Sequence, residues 1–307
     1  MNTRRTFVRY GLGYLLVLPA CLVIFVFILY PIVQALTYSL CKMELTKKLT
    51  DVQLQEPKGL QLTCTFIGLE NYTRLWQAPK FWRALGHSLS LVALAVPLEF
   101  VLGIGLALLL NQRLRFLPTL RKLALVGWVI PIASQVGLFR WVFAPDDGIV
   151  NVLLKQAGLS TGEWNWFGEP SIAFGMIVLM HVWRNAPFFG FTLLAGLQAI
   201  PQELYDAAEV DGAGAWERFV YITLPHLRRL ATILIIGHVA FTLNDYEFVA
   251  IATGGGPAGA TVVLPIFLNV QVWTYFNWGY ASAVGAVMLG LILLIVIPFL
   301  YWQRPME

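Results

Sequence analysis

The chain has 307 residues, of which 58% are hydrophobic and only 12% are charged, and its mean hydropathy is +0.69. This composition excludes an ordinary soluble domain, in which about 45–50% of the residues are apolar. The net charge of +4 does not indicate a nucleic-acid-binding protein, because the 21 Lys and Arg residues lie mostly in short clusters outside the apolar runs. Such clusters are typical of membrane topology, so we expect membrane lipid, and no nucleic acid, around this chain.

The first apolar run extends from Leu12 to Val33 without a charged residue. It is longer than the about 7–15 residues of a signal-peptide core. We therefore interpret it as a retained membrane span that follows a short cytoplasmic N-terminus, residues 1–11.

Further apolar runs follow along the whole chain. A helix needs about 20 mostly apolar residues to cross roughly 30 Å of hydrocarbon, because unpaired backbone groups are too costly in lipid. Six segments meet this length, which predicts an all-α, polytopic membrane protein organised as a single transmembrane domain over 12–302, with a tail at 303–307. The predicted spans are 12–33, 84–110, 123–143, 171–197, 230–252 and 281–302.

Basic residues in the short loops set the predicted orientation. Lys and Arg cluster before the first span and between the second and third spans, which places the N-terminus in the cytoplasm. The stretch 41–83 disagrees, because it carries seven basic residues and yet faces outward in this scheme. The rule is weaker for longer loops, so we keep the orientation with the N-terminus inside.

Cysteines and histidines do not predict catalysis or metal binding. The chain has three cysteines, and none has a spacing typical of a zinc site. Cys41 and Cys64 can pair if they share an outward loop, but we expect free thiols. The histidines likewise form no nucleophile or metal motif in the sequence, which argues against a membrane-embedded enzyme: His87, His181, His226 and His238.

The loop 198–228 has more internal order than a simple connector. Pro201 suits the first position of a short helix, and Gly212 follows where that helix would end. Apolar residues at helical spacing then precede Pro225. The pattern predicts a helix, a turn and a second helix at the membrane surface.

The same loop carries a recognisable motif. Asp206-Ala207-Ala208, Gly212 and Ile222-Thr223-Leu224-Pro225 match the form E-A-A, three residues, G, nine residues, I-x-L-P, with Asp in place of the usual Glu. On these residues the chain resembles the inner-membrane permeases of binding-protein-dependent type I ABC importers. Four other stretches resemble the carbohydrate permeases akin to those for maltose, trehalose and glycerol 3-phosphate: 66–72, 194–198, 253–257 and 279–283.

The resemblance implies a transport subunit in the inner membrane of a bacterium or archaeon. Its implied partners are a sister permease, two ATP-binding subunits and an extracytoplasmic substrate-binding protein. The chain has no G-x-x-x-x-G-K-[ST] phosphate loop, so we expect no cofactor and no catalysis here, with ATP bound by a partner. The implied ATPase-coupling residues are Asp206, Ala207, Ala208, Gly212, Trp216, Phe219 and Pro225.

Polar residues inside the spans are candidates for the substrate path, because they are costly in lipid unless they are paired or face water. Carboxylate, amide and aromatic groups near the middle of two spans suit a hydroxyl-rich cargo. For Glu99, Arg140 and His181 a structural pair is an equal alternative. The substrate-path candidates are Gln135, Trp183, Arg184, Asn185, Asn244, Asp245, Tyr246 and Glu247.

These observations favour the permease subunit of an ATP-driven sugar importer. A neutral saccharide is favoured because the spans offer only Arg140 and Arg184 to an anionic cargo. An importer of a phosphorylated polyol is one alternative. A secondary transporter driven by an ion gradient is the other, although it does not account for the loop 198–228.

Overall fold

A computed structural model describes residues 3–46, 61–112, 117–159 and 164–302. The predicted tail at 303–307 and the first two residues of the predicted N-terminal segment lie outside the described residues. Over the described residues the chain is mostly helical, which confirms the predicted class. One two-stranded sheet is an addition that the sequence analysis did not predict.

The described part of the first 78 residues begins with two helices and the two strands. A π-helical segment, Phe25–Leu29, joins the first two helices, so they continue into one another. The elements are α1 (Thr3–Ile24), α2 (Tyr30–Ser39), β1 (Cys41–Thr46), β2 (Gln61–Phe66) and α3 (Glu70–Gln77).

Nine helices and a second π-helical segment, Phe219–Thr223, account for most of the later described residues, up to Val263. They are α4 (Pro79–Leu110), α5 (Leu117–Val129), α6 (Ile132–Val142), α7 (Ile149–Gln156), α8 (Pro170–Gln198), α9 (Gln202–Val210), α10 (Ala215–Arg218), α11 (Leu224–Leu243) and α12 (Glu247–Ala252). The last two helices are α13 (Leu264–Trp273) and α14 (Trp278–Trp302).

Five described helical segments are long and apolar enough to cross a membrane, and a bent pair makes up to six. This agrees with the predicted number of about six. The five are Tyr14–Ser39, Pro79–Leu110, Pro170–Gln198, Ala215–Leu243 and Trp278–Phe299.

The third predicted span, 123–143, is not one continuous helix. Its two parts, Arg121–Val129 and Ile132–Val142, meet at an angle of 103°. Pro131, which precedes the second part, has an extended backbone. Proline has no N–H to continue the helical hydrogen bonds, and it disfavours the helical conformation in the residue before it, so the first part ends here. The Gln135 amide nitrogen donates to the carbonyls of Gly127 and Ile130 at 2.5 and 2.7 Å, which satisfies backbone groups that the break exposes.

The fifth predicted span, 230–252, is displaced. The helical segment extends over Ala215–Leu243, so it begins within the loop 198–228 and ends nine residues earlier than predicted. It ends where the sequence becomes polar, and the Asn244 amide bonds the carbonyl of Ala240 at 2.9 Å. Near its start, Pro225 cannot donate a backbone hydrogen bond, and the chain adopts the π-helical segment directly before it.

One compact unit comprises Met1–Ala78 with Leu268–Leu289. Its strands β1 and β2 pair antiparallel, with Met43 opposite Cys64 and Cys41 opposite Phe66. This pairing brings the Cα atoms of Cys41 and Cys64 to 5.4 Å, and the two residues form a disulfide. The expectation of free thiols at these two positions is therefore wrong, because the register of the two strands brings the cysteines together and the sequence does not show that register.

The other compact unit comprises Pro79–Phe267 with Gly290–Glu307. Its longest helices, α4 and α8, pack closely where Gly103 lies against the backbone of Phe189 and Gly190. A side chain on Gly103 would meet the Gly190 nitrogen at 3.1 Å and the Phe189 side chain closer still. Small residues at such contacts let membrane helices approach closely. The prediction of a single transmembrane domain over 12–302 stays a prediction.

Candidate functional site

A buried polar cluster lies where α4, α8 and α11 meet. Glu99 of α4 contacts His181 of α8, with 2.6 Å between Oε1 and Nδ1. The second oxygen of Glu99, Oε2, lies 3.0 Å from Nε2 of His238 in α11. The other nitrogen of His181, Nε2, lies 3.2 Å from Oδ2 of Asp245, which follows α11. All four side chains are buried.

Asn185 completes the cluster one helical turn after His181. Its amide nitrogen donates to the carbonyl of His181 at 2.9 Å and lies 3.4 Å from Oε1 of Glu99. Aromatic rings enclose the histidines: Phe248 lies 5.9 Å from His181, and Phe189 lies 5.0 Å from His238, between ring centroids. The cluster is therefore a charged centre within apolar packing.

Burial of Glu99 and Asp245 is costly unless positive charge or protons compensate it. The contacts of Glu99 and His181 agree with the alternative that these residues form a structural pair. The sequence shows no histidine motif, yet His181 and His238 converge on one carboxylate in the structure. Their sequence spacing could not show this, since they belong to different helices.

A cleft of about 490 Å³ opens beside the cluster. The Trp128 and Phe188 rings stack there with centroids 6.0 Å apart, and His238 joins the lining. Arg184 and Asn185 are the predicted substrate-path residues among its described lining. The Arg184 guanidinium lies over the Phe248 ring at 5.6 Å and donates to the Ile130 carbonyl at 3.3 Å.

The other substrate-path candidates are not brought together around this cleft. Gln135 is buried, and its amide nitrogen contacts the carbonyls at the break between α5 and α6. Trp183 is partly exposed and packs edge-on against Phe139. Asp245 belongs to the buried cluster, whereas its neighbours are exposed on the segment after α11: Asn244, Tyr246 and Glu247. A cargo contact by any of these residues stays a prediction.

The predicted coupling segment forms a helix and a turn between the two membrane-crossing segments Pro170–Gln198 and Ala215–Leu243. The structure describes every residue of α9, and none of them is buried. Gly212 follows with a φ of +81°, a conformation that glycine adopts without strain. Of the predicted coupling residues, Asp206, Ala207, Trp216 and Pro225 are exposed, whereas Ala208 and Phe219 are half-buried.

Two side-chain contacts that the sequence analysis missed attach α9 to the next helical segment. The Tyr205 hydroxyl lies 2.9 Å from the Thr223 hydroxyl. Arg218 donates to Glu209 at 3.0 Å. The only sequence signal for them is the placement of hydroxyl and charged residues on either side of the turn, which is common on any surface.

The comparisons with known proteins cover most of the chain. Residues 99–305 match the family described as "Binding-protein-dependent transport system inner membrane component". The "Trehalose/maltose transport system permease protein MalF" of Thermococcus litoralis is 35% identical over 292 residues, which cover 94% of this chain and 92% of that protein. The "Sulfoquinovosyl glycerol transport system permease protein SmoG" of Agrobacterium fabrum is 32% identical, with 91% and 86% covered.

Solved structures show the same fold. A chain in the crystal structure of a bacterial alginate ABC transporter, in complex with an alginate pentasaccharide-bound periplasmic protein, superposes with a TM-score of 0.82. It is 21% identical and covers 99% of this chain, with 98% of its own length matched. The sequence motif, the helical spans and the relatives agree, and this chain belongs to the family of inner membrane components of binding-protein-dependent transport systems.

Proposed function

We propose that this chain forms part of the translocation path of an ATP-driven saccharide importer, and that α9 couples the path to separate ATPase subunits. Its partners would be a sister permease, two ATP-binding subunits and an extracytoplasmic binding protein. The chain itself would catalyse no reaction, since ATP would bind to the partner subunits and be hydrolysed there.

The observation that carries this proposal is the exposed helix α9 between two membrane-crossing segments. An exposed surface helix alone is ordinary, but this one carries the first motif residues, Asp206-Ala207-Ala208, and is attached to the next segment. Each of the two contacts, Tyr205–Thr223 and Glu209–Arg218, joins a residue before the Gly212 turn to a residue after it. A force on α9 would thus reach α11 directly, which suits rigid-body alternating access.

A neutral saccharide is the cargo class that we favour. Arg184 is the only Lys or Arg among the described lining residues of the cleft, and its guanidinium already contacts Ile130 and Phe248. The cleft also offers an amide, and the stacked Trp128 and Phe188 suit the C–H face of a sugar ring. The relative named for trehalose and maltose supports this class.

The transport assignment is tested by ATP hydrolysis of the complete complex in liposomes, with the binding protein added with neutral oligosaccharides, polyols or sugar phosphates. We expect one neutral saccharide to stimulate hydrolysis and to accumulate in the vesicles. ATPase subunits without the permeases are the control. Stimulation only by a phosphorylated compound would refute the cargo class, and uptake driven by an ion gradient without ATP would refute the importer.

The attachment of α9 gives a second prediction. Tyr205→Phe removes a hydroxyl contact, and such a bond contributes about 0.5–1.5 kcal/mol. We expect saccharide uptake per ATP hydrolysed to fall by a factor of about 2 to 10, because α9 then moves partly without α11. Thr223→Val should cause the same loss, and the double variant should add little to it.

Tyr221→Phe is the matched control, since the Tyr221 side chain is exposed in the same segment. It should leave the ratio of uptake to hydrolysis unchanged. An unchanged ratio in Tyr205→Phe and Thr223→Val as well would show that this contact does not transmit motion.

A further inference from the structure

We propose that Glu99, His181 and His238 form a binding site for one divalent transition-metal ion of the zinc type. The site lies between α4, α8 and α11. This inference does not rest on the proposed transport function, because it follows from the buried cluster alone.

The three side chains offer the ligand atoms that zinc prefers. One atom from each residue, two imidazole nitrogens and a carboxylate oxygen, lies within 4.8 Å of the others. Zinc sites are commonly built from such nitrogen and oxygen ligands at about 2.0–2.1 Å, which places neighbouring ligands about 3.3 Å apart in a tetrahedron. Nδ1 of His181 lies 2.6 Å from Oε1 of Glu99 and Nε2 of His238 lies 3.0 Å from Oε2, so the two histidines flank the two oxygens of one carboxylate.

One buried carboxylate oxygen and one buried imidazole nitrogen would share the ion. Oε2 of Glu99 and Nε2 of His238 lie 3.0 Å apart, and neither atom makes a well-directed hydrogen bond. Their side chains are 0% and 8% exposed, so bulk water does not satisfy them. An ion bound by both atoms would remove the cost of leaving buried polar groups unpaired.

Neighbouring residues would orient the ligands. Metal-binding histidines commonly direct their second ring nitrogen at a carboxylate, which holds the ring in place. Here Nδ1 of His181 faces Glu99, while Nε2 lies 3.2 Å from Oδ2 of Asp245. Asn185, 3.4 Å from Oε1 of Glu99, would hold the carboxylate. Asp245 and Asn185 would therefore act as positioning residues.

Charge balance and access agree with this site. The carboxylates of Glu99 and Asp245 bring two negative charges into packing formed by Phe189 and Phe248, and one divalent ion would balance both. His238 also lines the cleft of about 490 Å³, so the proposed site lies beside an open space.

The test uses the full-length chain purified within its transporter complex, stripped with a chelator and then exposed to Zn²⁺ or Co²⁺. We expect one ion per chain by mass spectrometry, a Co²⁺ visible spectrum typical of tetrahedral coordination, and a higher melting temperature with metal. Glu99→Gln and His238→Gln should each lose the ion. Asp245→Asn should weaken binding by about 10- to 100-fold, as expected of a positioning residue.

His226→Gln is the matched control, because His226 is exposed and its Nδ1 contacts a carbonyl of its own helix. It should keep one ion. If Glu99→Gln fails to fold, His238→Gln decides, since His238 lies at the edge of the cluster. Binding of no ion by the parent chain, or retention of the ion in His238→Gln, would overturn the proposal.

Discussion

Gly103→Leu is expected to abolish the folded permease, because α4 and α8 touch through their backbones at this point. A Cβ on Gly103 would already lie 3.1 Å from the Gly190 nitrogen and 3.2 Å from the Phe189 carbonyl carbon. The obstructing atoms include backbone, so a rotamer change cannot make room and the helices must separate. Overpacking of this kind costs about 3 kcal/mol, and more where the backbone is obstructed. Size-exclusion chromatography and thermal unfolding of the purified complex measure the loss.

Gly105→Leu is the control for this prediction. Gly105 lies two residues further along the same helix, and nothing lies within 4 Å of the position where its Cβ would be. This variant adds the same side chain to the same helix and should assemble normally. A melting temperature for Gly103→Leu equal to that of Gly105→Leu would mean that α4 and α8 do not pack as described.

Ala208→Trp is expected to leave the permease folded and membrane-inserted but to abolish the coupling of ATP hydrolysis to uptake. Ala208 is half-buried on α9, a helix whose small residues would let it fit a groove on the ATPase subunit. A large indole at this position would add volume at the proposed contact with the ATPase subunit, at a cost of about 1–3 kcal/mol. We expect uptake to fall by about tenfold or more, with less ATPase subunit co-purified. Transport by reconstituted vesicles and subunit co-purification are the measurements.

Ala208→Ser is the control, because it changes the same residue without adding a large side chain. Serine keeps the position small, so uptake and co-purification should stay near those of the parent chain. Uptake by Ala208→Trp equal to that of the parent chain would refute the proposed coupling role of α9. A loss of uptake together with a loss of membrane insertion would instead indicate a folding defect, and the coupling proposal would then have no support from this residue.

The membrane spans were predictable because the hydrocarbon thickness imposes a minimum length on any apolar helix. The segments 84–110 and 171–197 agree with the observed spans Pro79–Leu110 and Pro170–Gln198 to within five residues. The helix and turn after α8 were predictable for a similar reason, since Pro201 and Gly212 act on the local backbone. These features depend on neighbouring residues alone.

Two span predictions differ from the structure because a proline or a short polar stretch ends a helix that hydropathy alone would continue. The third span is apolar throughout 123–143 except for Ser134, Gln135 and Arg140, but Pro131 breaks it and Gln135 satisfies the exposed carbonyls. These contacts give the polarity of Gln135 a structural reason, and a cargo contact by Gln135 stays a prediction. The predicted fifth span, 230–252, includes residues 244–247, but α11 ends before them at Leu243.

The sequence by itself determined that this protein spans a membrane, that it has about six spans, and that a short helix and a turn lie between Pro201 and Gly212, because each feature depends on composition or on residues close together in the chain. Only the tertiary structure decided which polar groups meet. Glu99 and His181 are 82 residues apart in the chain, and Ser39 and Asn71 are 32 residues apart, yet each pair is in hydrogen-bond contact. Helix packing and strand register set such contacts, and neither has a local pattern. The disulfide between Cys41 and Cys64, the close approach at Gly103 and the proposed metal site all depend on this long-range geometry.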